Sequence, residues 1–426
     1  MPSGVRLRWP AWLAPERPRA MGPRVLFVAP RLDAGGAEIH LARVLPQLRR
    51  VLDVSLFTIA RGGRFEGDLT AAGVPVLGAE MSGVRPVRSL RVARALRREI
   101  RNLRPDILHF FLPEPYLIGT IAAAGLGGII RIMSRRSLAD YQRNHLLLAR
   151  LERYLHRSTN ALIGNSSAVA AQLVQECGHP EKVGVIHNGI EVPPLPDRQA
   201  RAACRRELGI PEDAFVIAVI ANLIPYKGHA DLFTALANGR GRLHGPWRLI
   251  LIGRDEGLGR KLRRQADLFG ISSNILWLGE RSDPQAMLAA ADLGVLPSHQ
   301  EGFSNSLIEK MAHALPVVAT RAGGNSDAVV DGESGCLVPI ANPEALGAAI
   351  VTLYEDAGLR TRMGAAARLR VERMFTLETC VRRYLNLYRG IVASPGAPVA
   401  QLIDPQHESS AVANGPMELN LLAGMN

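Results

Sequence analysis

Two series of short apolar runs, each alternating with helical stretches and parted by a proline-rich break, predict an α/β protein of two Rossmann-like, doubly wound parallel-sheet domains. The first series is Val25–Ala29, Val54–Thr58, Val74–Leu77, Ile107–Phe110 and Ala161–Gly164. The second is Phe215–Ile220, Arg248–Gly253, Ile275–Leu278, Leu293–Leu296, Val317–Thr320 and Gly335–Val338. Runs this apolar, without strict alternation, imply sheets covered by helices on both faces. The break is Glu191-Val192-Pro193-Pro194-Leu195-Pro196-Asp197, and a chain of 426 residues suits two domains of ordinary size plus tails.

The boundaries follow from these elements. Residues 1–22, rich in Arg, Pro and Trp, read as a disordered extension, and Met21-Gly22-Pro23 just before the first strand points to Met21 as the natural start. The first domain is expected over 23–192 and the second over 200–375. Residues 376–392 make a last helix, and from Ala393 to 426 a Pro/Ala/Ser/Gly-rich composition without periodicity predicts a disordered tail.

Composition narrows the class. Cys177, Cys204, Cys336 and Cys380 lie at no metal-like spacing and read as free thiols of a reducing compartment. No apolar run approaches the ~20 residues that span a bilayer, and the N-terminus has no secretory apolar core. These features predict a cytoplasmic protein. Residues 1–200 carry 28 Lys+Arg against 16 Asp+Glu, whereas residues 201–426 carry 23 of each, so the whole excess lies in the first half. A basic half favours an anionic partner. Between Arg88 and Arg104, arginines at 88, 91, 94, 97, 98, 101 and 104 fill the arc left by Leu90, Ala93, Leu96, Ile100 and Leu103. Arg143, Arg150, Arg153 and Arg157 form a second patch. Either can rest on anionic lipid or stand as a solvated face. Few aromatics are present and none interleaves with the arginines, which speaks against nucleic acid.

The chemistry concentrates in Ser298–Ala312. Glu301 and Glu309 bracket a small polar turn that opens into an apolar helix. Ser304, Asn305 or Ser306 can cap that helix, whose first N–H groups and positive dipole end make a phosphate seat. A carboxylate at Glu309 can accept hydrogen bonds from a vicinal diol such as ribose. Phosphate, diol and a second carboxylate together suggest a nucleotide carrying a hydroxylated group.

This segment resembles the Glu-seven-residues-Glu signature of retaining glycosyltransferases of family 4, and the similarity runs in order and spacing from Arg24 to Arg389. The resemblance implies the GT-B fold, with both domains facing a cleft and a final helix, here Leu377–Tyr388, crossing back to the first domain. It implies that Glu309 binds the donor ribose, that Glu301 faces the donor sugar, and that the backbone of Gly302, Phe303, Ser304 and Asn305 faces sugar and diphosphate. Gly35-Gly36, between the first strand and a helical stretch over Ala37–Leu48, would approach the donor phosphates, although a tight turn reads the same way. Glu38 beside it reads as a cap or a solvated side chain. Lys227 matches a family lysine that neutralises the departing diphosphate, while Asn222 stands where the family often has arginine. Arg254 is a weaker phosphate candidate, and Gly279-Glu280-Arg281 is expected to line the base.

Two further positions depart from the pattern. Some family members carry a histidine after the strand that here reads Ile132-Met133-Ser134-Arg135-Arg136, and this chain has none there. Ser134, Arg135 or Arg136 can supply acceptor-side groups or form a solvated basic loop, and His109 can touch a ligand or close a strand edge. Asp327 replaces the usual glutamate after Gly323-Gly324, and Asn165 and Asn188 read first as turn residues.

No Asp-x-Asp triplet and no His/Cys/carboxylate cluster at ligand spacing occurs, so no metal and no cofactor are expected. The expectation is a cytoplasmic glycosyltransferase of the hexosyltransferase type, peripheral on the inner face of the cytoplasmic membrane. It would carry a sugar, with retention, from a nucleotide-diphosphate sugar to a glycan or polyprenyl/lipid-linked acceptor in exopolysaccharide, capsule or lipopolysaccharide synthesis. The alternative is a catalytically silent GT-B protein serving as a sugar-nucleotide-binding or assembly subunit.

Overall fold

A computed structural model describes residues 22–405 apart from 34, 79–84, 140–141, 143–144 and 240, with the side chains of 85–88 also left aside. The expected N-terminal extension, the Met21 start, the side chains of Arg88 and Arg143 and the tail beyond 405 lie outside the described residues.

The first sheet contains β1 (Arg24–Ala29), β2 (Asp53–Thr58), β3 (Val76–Gly78), β4 (Ile107–Phe111), β5 (Ile130–Arg135), β6 (Ala161–Gly164) and β7 (Val183–Val185). All are parallel, in the order β3-β2-β1-β4-β5-β6-β7. The second contains β8 (Phe215–Ile220), β9 (Trp247–Ile252), β10 (Ile275–Gly279), β11 (Leu293–Leu296), β12 (Val317–Thr320) and β13 (Cys336–Val338). It is also parallel, in the order β10-β9-β8-β11-β12-β13.

Strand pleat explains why the central runs are continuously apolar. Val25, Phe27 and Ala29 of β1 enter one core, while Leu26 and Val28 enter the core on the opposite face. Likewise Phe215, Ile217 and Val219 of β8 serve one core and Val216 and Ala218 another. Each strand order reverses beside its central strand, between β1 and β4 and between β8 and β11. Ligand crevices form at such reversals, outside the strand C-terminal ends.

The chain crosses between the domains twice, side by side. Ile190 N donates to Phe375 O at 3.0 Å and Leu377 N to Ile190 O at 2.8 Å, so the outgoing and returning segments pair. The helix Leu377–Ala393 then buries Leu377, Cys380, Tyr384, Leu387, Tyr388 and Ile391 in the core that also holds β1. Their spacing puts all six on one helical stripe.

One expectation is corrected at this end. Residues 394–405, assigned to a disordered tail, carry a short helix, Val399–Ile403, whose Val399 and Ile403 are buried. They occupy the space over Gly184 of β7 that a Cβ there would take. Two apolar residues four apart suffice to dock it, and the surrounding Pro and Ala conceal that signal.

Candidate active site

The loops after β1, β8 and β11 enclose a cleft of about 1090 Å³ between the domains, together with Leu112, Arg136–Leu138, Asn165 and Asn188 of the first domain. Gly35, Gly36, Asn222, Lys227, Arg254, Glu301, Gly302, Phe303, Ser304 and Asn305 all line it. The helix Asn305–Ala312 starts at its floor, and Ser304 Oγ accepts from Leu307 N at 3.3 Å as N-cap. Of the three candidate caps, Ser304 is the one used.

At the centre Lys227 Nζ lies 2.6 Å from Glu301 Oε1. The two loops bearing them are held together by His299, whose amide donates to Tyr226 O at 2.7 Å and whose Nε2 lies 2.6 Å from Asp231 Oδ2. Lys227 ends a short turn at Gly228, which has φ +71° and would drive a Cβ into the Pro297 carbonyl. Only glycine lets the β8 and β11 loops approach this closely.

Asn222 braces the neighbouring loop. Its Oδ1 accepts from Arg254 N at 3.1 Å, and its Nδ2 donates to Glu256 Oε1 at 3.0 Å. The Arg254 guanidinium reaches the same Glu256 oxygen at 2.8 Å. Across the cleft, Glu38 stands beside Gly35, and burial raises its carboxyl above the usual range.

Glu309, expected to bind the donor, is buried and does not line the cleft. Its Oε1 accepts from Gln285 Nε2 at 2.9 Å and from Arg43 Nη2 at 3.1 Å, the latter from the first domain's Gly36–Arg49 helix. Its neighbour Lys310 is fully buried, and burial brings its ammonium down to about 7 despite the nearby Glu309 and Glu301.

Several contacts tie the first domain to the signature loop and to the short Asn325–Ala328 helix of the second domain. Asn188 Nδ2 donates to Asn305 Oδ1 at 2.6 Å and to Phe303 O at 3.3 Å, while its Oδ1 accepts from Arg136. Asp327 accepts from Ser167 N at 2.6 Å and lies 2.9 Å from His187 Nε2. Burial alone would raise that carboxyl, but these two partners hold it below the usual range. Asn165 and Asn188, read as turn residues, therefore also line the cleft. Arg43, Gln285 and His299 carried no signal in the sequence, because each acts through a residue distant along the chain.

Four candidates lie elsewhere. His109, Ser134 and Arg135, expected on the acceptor side, have no exposed surface and do not line the cleft. His109 is held by the Tyr388 hydroxyl at 2.6 Å and Ser134 Oγ at 2.8 Å, closing a polar pair within the crossover core. Arg135 turns into the domain toward Glu176 at 2.6 Å and Glu152 at 3.4 Å, and Arg136 takes the cleft position instead. Successive strand residues face opposite ways, so one position decides which arginine reaches the cleft. Arg281 pairs with Asp283 at 2.8 Å and Glu207 at 3.4 Å outside the cleft lining, whereas Glu280 lines it.

Two family models match the chain, one described as Glycosyltransferase Family 4 over residues 34–192 and one as Glycosyl transferases group 1 over residues 200–370. The D-inositol 3-phosphate glycosyltransferase of Thermomonospora curvata is 30% identical over 269 residues, 59% of this chain. The chain spans 62% of that relative's length. The lipopolysaccharide core biosynthesis glycosyltransferase LpsE of Rhizobium meliloti is 29% identical over 83% of this chain and 95% of its own. Among solved structures, Anabaena HepE in complex with UDP superposes with a TM-score of 0.76 at 23% identity, covering 85% of this chain and 98% of that one.

Proposed function

Because the chain belongs to glycosyltransferase family 4, we propose that it transfers a sugar, with retention and without a metal ion, from a nucleoside-diphosphate sugar to a glycan or lipid-linked acceptor. The observation that carries this reading is the Lys227–Glu301 pair, 2.6 Å apart in a cleft also lined by Ser304, the cap of the Asn305–Ala312 helix. A fixed ammonium beside a helix N-terminus stabilises charge growing on a departing diphosphate. Arg254 stands as the cation that Asn222 does not provide. Glu309 receives the ribose diol by giving up part of its bonding to Arg43 and Gln285. The acceptor oxygen attacks the anomeric carbon from the leaving group's own face, and the departing phosphate oxygen takes its proton.

The setting is surface polysaccharide assembly in the cytoplasm, at the inner face of the cytoplasmic membrane. LpsE of Rhizobium meliloti, named for lipopolysaccharide core biosynthesis, favours it. No described helix is long and apolar enough to cross a membrane, which fits peripheral attachment.

The test is a thermal-shift and hydrolysis screen of nucleotide sugars with chelator present, UDP-sugars first. Stabilisation by one donor that disappears in Glu309→Ala is the expected result. Failure of every donor to stabilise the protein defeats the proposal, and a chelator-sensitive turnover defeats its metal-free part.

A further inference from the structure

The helix Leu146–His156 is folded with its polar side inward. Glu152 and His156 have no exposed surface and join a network inside the first domain. Arg135 reaches Glu152 at 3.4 Å and Glu176 at 2.6 Å, Gln142 Nε2 donates to Glu152 Oε2 at 2.5 Å, and His156 lies 3.3 Å from Glu176 and 3.1 Å from the Tyr116 hydroxyl. Burial would raise the Glu176 carboxyl, but His156 and Arg135 pull it down to about 2. This charge-assisted network anchors the helix from within.

The outward side carries what an ordinary surface helix buries. Leu147 is 83% exposed, Leu146 66%, Tyr154 65% and Leu151 45%. At 100° per residue Leu147, Leu151 and Tyr154 share one flank, and the exposed Arg150, Arg153 and Arg157 share the adjoining one. The helix's single carboxylate, Glu152, points inward, so none stands among them on this helix. The neighbouring helix Pro113–Ala122 adds Ile121, 61% exposed. Beyond it Arg85–Leu103 presents the exposed Arg91, Arg94, Arg98 and Arg101, of which Arg98 pairs with Glu99 at 3.1 Å. Scattered exposed leucines need no explanation, but a strip of them bordered by arginines on two sides does.

We propose that this face docks the first domain on an anionic lipid bilayer, with Leu147, Leu151 and Tyr154 entering the headgroup–acyl boundary and the arginines on lipid phosphates. Charge complementarity selects the occupant: an apolar strip alone fits any hydrophobic partner, while a border in which arginines outnumber acids fits a surface of negative headgroups. The assignment moves the lipid contact away from the Arg85–Leu103 helix alone, whose exposed side has charge but, among the described side chains, only Leu90 as an exposed large apolar group. The docking helix follows a few residues along the chain after Arg136–Leu138, which line the cleft. The inference concerns attachment and does not depend on the transfer chemistry.

The test is co-sedimentation of the full chain with vesicles of phosphatidylcholine alone or mixed with phosphatidylglycerol. Binding to the anionic vesicles is expected, weakened about tenfold or more in Leu147→Gln/Leu151→Gln and in Arg150→Gln/Arg153→Gln/Arg157→Gln. Both variants should keep the wild-type melting temperature and donor-induced thermal shift, since neither set touches the core or the cleft. The Tyr154→Trp variant should gain a blue-shifted indole emission on the anionic vesicles only. Absence of wild-type binding, binding unaffected by the leucine pair, or an emission from Tyr154→Trp that the anionic vesicles leave unshifted overturns the proposal. So does a solution dimer that the leucine pair dissociates without any lipid binding, which would make the face a contact between copies.

Discussion

Arg43 and Glu309 meet across the interface between the domains, with Nη2 3.1 Å from Oε1. The carboxylate proposed to hold the donor ribose is thus already occupied by a cation from the other domain. Replacing Arg43 with methionine leaves a largely buried carboxylate with Gln285 alone, so the unliganded protein should lose stability, by about 2 kcal/mol. The same change frees an acceptor for ribose hydroxyls, so donor-nucleotide affinity should rise. Calorimetric melting and titration on one variant check both signs, and weaker nucleotide binding would mean that Arg43 helps the ligand instead.

Lys227 and Glu301 are expected to act on turnover. Lys227→Ala should lower kcat by about 10²–10³-fold, the usual effect of removing one group that stabilises developing charge. Glu301→Gln should lower kcat while leaving nucleotide affinity within a few-fold. Steady-state transfer assays with matched donor titrations separate these. Full activity in Glu301→Gln would remove it from the mechanism.

Gly302 faces the Arg136 carbonyl, and a Cβ there would collide with it. The collision is between backbones of the two domains, so no flexible side chain can yield. Gly302→Ala should therefore hold the domains further apart. Small-angle scattering is expected to report a larger radius of gyration, and kcat/KM should fall even though no reactive group is lost.

Lys310 should make stability depend on alkaline pH. Its folded value is about 7 against an ordinary 10.5, so between these values the unfolded chain binds the extra proton. Stability contributed by this group therefore rises from about pH 7 to about pH 10.5 and is lost toward lower pH. Lys310→Met removes the buried charge and should flatten that dependence, raising the melting temperature most at or below pH 7. Parallel melting curves of both proteins from pH 7 to 10 provide the check.

Much of this architecture was legible along the chain. Apolar runs marked the strands because a sheet covered on both faces needs hydrophobic residues at successive positions. The Glu301–Glu309 spacing, Lys227 and Gly35-Gly36 lie in local segments whose turn and helix chemistry is complete within a few residues. The proline-rich segment marked the first crossing for the same reason.

Tertiary structure alone decided which polar groups face the cleft. Arg135 and Arg136 are neighbours with the same chemistry, yet the pleat at the end of β5 buries one against Glu152 and Glu176 and turns the other to the cleft. His109 and Ser134 became core residues because Tyr388, on a helix that returns from the second domain, supplies a hydroxyl above them. Glu309 acquired Arg43 in the same way, from a helix of the other domain. The sequence by itself determined the two sheets, the signature loop and the family. Packing of elements distant along the chain determined the partners of each charge, because burial and hydrogen bonding depend on neighbours in space, which no local pattern records.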